Sequence, residues 1–257
     1  MTGGAQASRT VLAVSLVVLI ATTALGVLLW QRAPALLGAA PPAPADVATA
    51  PLRLPPDVPD PGGYVHLLTG DDGAPVRWDP CRPVHVVVRP QGEPPGGRAA
   101  VETALARVGE ASGLVFVVDG ETDEAPTTTR ALTDPARYGA RWSPVLVAWS
   151  DAGEYPPLQG GAVGVAGPAA DPAADRLSWV SGTVVLDAVW FADNLPQELG
   201  SRRAGAVLSH ELAHLVGLGH SADPFSLMSP TYQSVYGFSL SDQAGLASLG
   251  GGACLPG

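Results

Sequence analysis

From residue 84 onward the chain alternates between two hydrophobic rhythms. Val84 to Arg89 reads Val-His-Val-Val-Val-Arg, a β-branched run between Pro83 and Pro90, and predicts a strand. Gly97 to Ser112 places Val101, Leu105, Val108 and Ser112 at helical spacing, with Gly113 positioned to stop the helix. Further strands are expected at Leu114–Val118, Val145–Trp149 and Trp179–Asp187. The alternation of Gly, Val and Ala over Gly160–Gly167 suits a flat edge strand. Arg202–Leu218 predicts a helix with Ser201 as N-cap, and Ser241–Leu249 a last helix with Ser241 and Asp242 at its positive end. There is no internal repeat. The order strand, helix, several strands, helix, loop, helix specifies a mixed α/β or α+β domain over about 62–257.

Ahead of this domain the rhythm is different. Val11 to Trp30 is a run of 20 uncharged residues. As a helix it would span about 30 Å, the thickness of a bilayer's hydrocarbon core. The run is apolar all round, which argues against a buried core helix. A cleaved signal peptide is the rival reading, with Gly38, Ala39 and Ala40 as small residues near a cleavage point, but such peptides carry shorter apolar cores and Pro41 is a poor neighbour. Arg9 before the run and Arg32 and Arg53 after it leave orientation undecided by charge. A short tail, residues 1–10, is easily left in the cytoplasm, which puts the bulk of the chain outside. Residues 31–61 are rich in Ala and Pro and predict an extended spacer between anchor and domain. The expected placement is a single-pass membrane protein held through its N-terminal helix, with secretion as the alternative.

Composition narrows the function classes. Hydrophobic residues make up 46 % of the 257, so a disordered chain is excluded. Fourteen basic against 24 acidic residues give a formal charge of −10, which provides no basic stripe for nucleic acid or for anionic lipid. Two cysteines, Cys81 and Cys254, are too few for a disulfide-built scaffold; they can form one bridge or stay free, as the compartment decides. Nothing in the sequence sets an oligomeric state.

The chemistry concentrates in one stretch. Three of the five histidines lie within eleven residues, as His210-Glu211-Leu212-Ala213-His214-Leu215-Val216-Gly217-Leu218-Gly219-His220. Residues four apart share a helix face, so His210 and His214 can address one ion. Gly217 can turn left-handed and end the helix, which lets His220 return as a third ligand. Three imidazoles leave one tetrahedral position for water, the pattern of a catalytic rather than a structural zinc site. Glu211 points off the ligand stripe yet can reach that water, as a general base must. Eight residues on, Met228 sits in Ser226-Leu227-Met228-Ser229-Pro230; by itself a Met is more often a core filler.

Together these residues resemble the metzincin metalloproteases, in which an extended zinc motif is followed by a Met-containing turn. The resemblance is nearest to the matrixins, through His220-Ser221, Leu227-Met228-Ser229-Pro230 and Leu240-Ser241-Asp242-Gln243-Ala244-Gly245-Leu246, and is specific over Val207–Leu249. From Trp78-Asp79-Pro80-Cys81 onward the chain is more loosely similar to matrixin-like secreted or anchored actinobacterial proteins. The resemblance implies a twisted, mostly parallel sheet with an antiparallel edge strand, an active-site helix, a Met-turn and a C-terminal helix. It implies His210, His214 and His220 as zinc ligands, Glu211 as general base and proton shuttle, and Met228 as the floor beneath the ion. The strand at Gly160–Gly167 would then pair with a peptide substrate. Several family features are missing. The propeptide cysteine switch is absent. Cys81 is the sole upstream cysteine, and pairing with Cys254 is its expected fate outside a cell. Only His66 and His85 remain, too few to rebuild the family's structural zinc site, and no calcium loop is evident. Pro230 stands where some metzincins carry a Tyr, and neither Tyr232 nor Tyr236 has an assignable role.

The expected function is that of an extracytoplasmic zinc endopeptidase acting on a peptide or protein. The alternatives are a zinc-stabilised cell-envelope binding module with little turnover and a zinc hydrolase with a non-peptide substrate.

Overall fold

The computed structural model describes residues 41, 46–172, 174, 176–231 and 234–255. The tail, the anchor run and the first part of the spacer lie outside the described residues. Among those described, no helix is long and apolar enough to cross a membrane.

Five strands form one sheet: β1 (Val84–Arg89), β2 (Phe116–Glu121), β3 (Val145–Ser150), β4 (Gly164–Ala170) and β5 (Trp179–Asp187). Their spatial order is β2-β1-β3-β5-β4. All neighbours run parallel except β4, which lies antiparallel to β5 at the sheet edge. The fold is therefore α+β, a mostly parallel sheet with one antiparallel edge, as expected. β1 and β3 are covered on both faces, so they read as continuous apolar runs rather than as alternation. On one face Val86, Val88, Val147, Trp149 and Leu186 meet Val101, Leu105 and Val108 of helix α1 (Gly97–Ser112). They also meet Leu208, Leu212 and Leu215 of a later helix, which completes the main core. The other face carries two small clusters, around Val87 and Leu146 and around Tyr155, Leu158 and Val185.

Some boundaries moved, for local reasons. β2 starts at Phe116 and runs to Glu121, because its register on β1 rather than its short apolar run sets its length. The edge strand is shifted to Gly164–Ala170; Gly160 and Gly161, both at positive φ, form the turn before it. Three short pieces carry no clear period: helix α2 (Pro135–Tyr138), a 3₁₀ turn at Pro156–Leu158 and helix α3 (Ala188–Asn194). Asp187 caps α3 through the Trp190 amide, and Phe191 buries itself edge-on against Trp149.

Helix α4 spans Glu198–Val216, one turn longer than expected at its start. Ser201 is not its N-cap: it lies inside the first turn and its hydroxyl donates back to the Glu198 carbonyl. Helix α5 (Leu240–Gly250) is capped by Ser239 in a reciprocal box with Asp242, while Ser241 donates instead to the Gly62 carbonyl.

The described part of the spacer does not stand off from the domain. Residues 46–61 form no helix or strand, yet the Ala48 amide donates to Cys81 O (2.8 Å) and the Leu52 amide to Pro80 O (2.9 Å). Pro55 crosses Gly113 so closely that a Cβ there would lie 2.6 Å from the Pro55 nitrogen. Gly113 is thus needed twice, for its left-handed φ of 82° at the end of α1 and for this crossing. Cys81 and Cys254 form a disulfide across 173 residues, joining the chain just before β1 to the chain just after α5. Such a bridge acts mainly by restricting the unfolded chain.

His85 fastens the same segment, its ring nitrogens bonding Asp119 (2.7 Å) and Asp46 (2.8 Å); Arg141 holds the other oxygen of Asp119. Burial pulls the His85 pKa down, but the two carboxylates outweigh it and raise it above 6.5. A raised histidine pKa contributes stability that is full below the unfolded value near 6.5 and is lost as pH climbs through the folded value. Amide exchange over residues 46–52 should accelerate as pH rises through that window, beyond the intrinsic base-catalysed trend. His85→Gln should abolish the extra step; a step that survives the substitution refutes the assignment.

Candidate active site

The second half of α4 runs through the core: residues 206–216 are all buried. On this rigid rod His210 and His214 stand one turn apart on one face, with ring centroids 4.6 Å apart. Gly217 ends the helix at φ 116°, its amide shared between Ala213 O and His214 O. A Cβ at 217 would lie 2.8 Å from the Trp179 indole nitrogen, so the reversal requires glycine twice over. Beyond it the chain is gripped by a segment upstream of β1. The Leu67 amide donates to Gly217 O, the Gly219 amide donates to Val65 O, and the Ser221 hydroxyl donates to Gly63 O. This return brings His220 Nε2 to 3.2 Å from His214 Nε2.

One ligand atom from each of His210, His214 and His220 lies within 4.8 Å of the others. Two rings are oriented by carbonyls: His210 Nδ1 lies 2.7 Å from Leu227 O and His214 Nδ1 2.7 Å from Leu218 O. A carbonyl only accepts, so Nδ1–H is the donor in both and each Nε2 keeps its lone pair. Burial pushes the His210 pKa down to about 4, against a smaller upward pull from Leu227 O; a charge on His220 lowers it further. Burial likewise lowers His214 and His220. All three rings are therefore neutral at pH 7, the state in which imidazole binds a metal. His210 Nε2 is buried without a hydrogen-bond partner, the mark of a lone pair kept for an ion.

Glu211 is fully buried and neither carboxylate oxygen has a hydrogen-bond partner. Burial alone raises its pKa to about 8. Its side chain reaches the edge strand at Gly164, where a Cβ would sit 2.7 Å from Glu211 Cγ and 2.9 Å from Oε1. A residue with any side chain at 164 would collide with this carboxylate.

The turn around Met228 reaches the histidine cluster through the Leu227 carbonyl, which bonds His210. Met228 is fully buried, its carbonyl accepts from the Ser221 amide (2.9 Å), and its amide donates to Ser226 Oγ. Asp242, fully buried at the start of α5, accepts from Ser226 Oγ (2.5 Å), the Leu227 amide (2.9 Å) and the Ser239 amide (2.9 Å). A chain of bonds thus runs from α5 through Leu227 to His210. Sequence reading saw Asp242 only as a charge near a helix start; the Ser239-x-x-Asp242 spacing of a capping box was the signal available. Nothing local pointed to Gly164.

The remaining chemistry-bearing residues lie elsewhere. His66 bonds Ser248, and His85 belongs to the spacer contact. Asp79, Cys81 and Cys254 form the other group of converging ligand atoms among the described residues, but both sulfurs are in the disulfide. Tyr232 lies outside the described residues.

Three neutral imidazoles with converging ligand atoms fit a zinc ion. No curated protein matches the chain. Residues 178–250, from the start of β5 through α4 and the Met228 turn to the end of α5, match the model of the matrixin family, which supports a metallopeptidase. That match, together with the five-stranded mixed sheet to which the stretch contributes β5, is consistent with a matrixin-like metzincin catalytic domain.

Proposed function

We propose that the protein is an extracytoplasmic zinc endopeptidase. The observation that carries this reading is Glu211: a buried carboxylate with no protein partner, one residue from a convergent histidine and flush against a sheet edge. His210, His214 and His220 would hold the ion. Zinc in such a site supplies Lewis acidity, acidifying a water and polarising a carbonyl. Glu211 would take the proton that water loses as its oxygen adds to the peptide carbon, then deliver it to the departing amine nitrogen. The raised pKa of Glu211 in the metal-free protein fits a group that must both accept and return a proton. Met228 and the turn around it hold the ligand rings from below. The edge at β4 would seat the substrate as an added strand. The disulfide supports an oxidising compartment, and the Val11–Trp30 run would hold the domain at a membrane's outer face.

The test is cleavage of a diverse peptide library by the purified full chain. Cleavage should vanish on chelation and return with one equivalent of zinc per chain. Cleavage that persists in the zinc-free protein, or a folded, zinc-loaded protein that cuts nothing, overturns the reading.

A further inference from the structure

The edge strand carries a built-in stop. In an antiparallel pair, the amide and carbonyl of one residue point to the same side, and successive residues alternate. In β4 the inward set is odd-numbered. The Asp187 amide of β5 donates to Val163 O (3.0 Å), and Gly167 O lies 2.9 Å from the Cβ position of Gly182 in β5. The register is unbroken from Gly164↔Leu186 through Ala169↔Ser181. Gly164, Ala166 and Pro168 therefore direct their backbone groups away from the sheet, at an edge with which no other described strand pairs.

These three positions are not equivalent. Gly164 and Ala166 each offer an amide and a carbonyl. Pro168 has no amide hydrogen and offers a carbonyl alone. Gly164 also marks the reacting end, because it lies against the Glu211 carboxylate. A peptide added antiparallel to β4 would place one residue opposite Gly164, the residue two toward its own N-terminus opposite Ala166, and the residue four toward its N-terminus opposite Pro168.

We propose that Pro168 sets the length of peptide this edge can read: full main-chain pairing ends at the substrate residue opposite Ala166, and the carbonyl of the residue opposite Pro168 goes unrecognised. This rests on the peptidase reading above. The consequence is that lengthening a substrate on the N-terminal side of the cut bond, beyond the residue opposite Ala166, gains no main-chain bond from that next carbonyl. The same feature denies other strands a continuous edge, a familiar protection against edge-to-edge aggregation.

The experiment uses one cleaved peptide, extended on its N-terminal side beyond the residue opposite Pro168. Two analogues carry an alkene in place of a single peptide bond, which removes the carbonyl of the residue opposite Ala166 or of the residue opposite Pro168. In the wild-type protein the first replacement should lower kcat/KM by about 2- to 10-fold, the worth of one hydrogen bond, and the second should change nothing. In Pro168→Ala, which restores an amide, kcat/KM for the long parent peptide should rise by a similar factor, and the second replacement should cancel that rise. Equal losses from both replacements in the wild type overturn the proposal. So does a folded Pro168→Ala protein that gains nothing on the long peptide. If the variant does not fold, the two wild-type measurements decide alone. If the wild type cuts no peptide at all, the peptidase reading itself fails and the proposal falls with it.

Discussion

Glu211→Gln should lower kcat by about 10²- to 10⁴-fold, the usual contribution of a positioned general base, while zinc content stays at one per chain. Gln is nearly isosteric, which matters because Gly164 leaves the side chain little room: Glu211 Oε1 already lies 2.9 Å from where a Cβ at 164 would be. The amide cannot take a proton from water, yet it leaves His210, His214 and His220 untouched. KM should therefore move little, and the loss should fall on kcat. Metal analysis beside steady-state kinetics is the check. A variant that loses its zinc would make Glu211 a structural partner of the site, and one that keeps full turnover would remove it from the chemistry altogether.

Asp242→Ala should be the most damaging single change outside the histidine cluster. The carboxylate accepts three hydrogen bonds in a fully buried position, two of them from the Met228 turn. Alanine leaves the donors Ser226 Oγ, Leu227 N and Ser239 N without partners and opens the capping box of α5. Buried unpaired donors cost about 1–3 kcal/mol each and are not additive, so a loss of about 3–5 kcal/mol is expected by denaturant unfolding. The change should also reach the site. Leu227 O orients the His210 ring, and disturbing such an outer partner typically weakens metal binding by about 10- to 100-fold. Asp242→Asn keeps one good acceptor and should fall between. An Asp242→Ala protein with wild-type stability and zinc affinity would show that the turn holds itself.

The histidine cluster was legible in the sequence because its geometry is local: a four-residue helical step, then a glycine to reverse the chain. The same holds for β1 and β5, whose burial leaves β-branched apolar runs, and for α1, whose one buried face imposes a helical period. What the sequence hid depends on contacts between distant residues. The bond between Asp242 and Ser226 exists only once α5 folds back on the Met228 turn. Gly164 looked like any small residue of an edge strand until Glu211 came up against it. Residues 46–61 have no period, so nothing in them signals that the segment lies on Gly113 and Cys81 rather than in solvent. Helix α3 was hidden because its seven residues are too few to show a helical period; the cap by Asp187 marks its start.

The bridge between Cys81 and Cys254 has a consequence for how the protein is made. Cys254 follows the last helix of the described fold, so the two sulfurs cannot meet until every strand and helix between them has been synthesised. The bond therefore gives no help to any folding that takes place before the chain is complete. With two cysteines only one pairing within the chain exists, so no reshuffling step stands between the finished chain and its bridge.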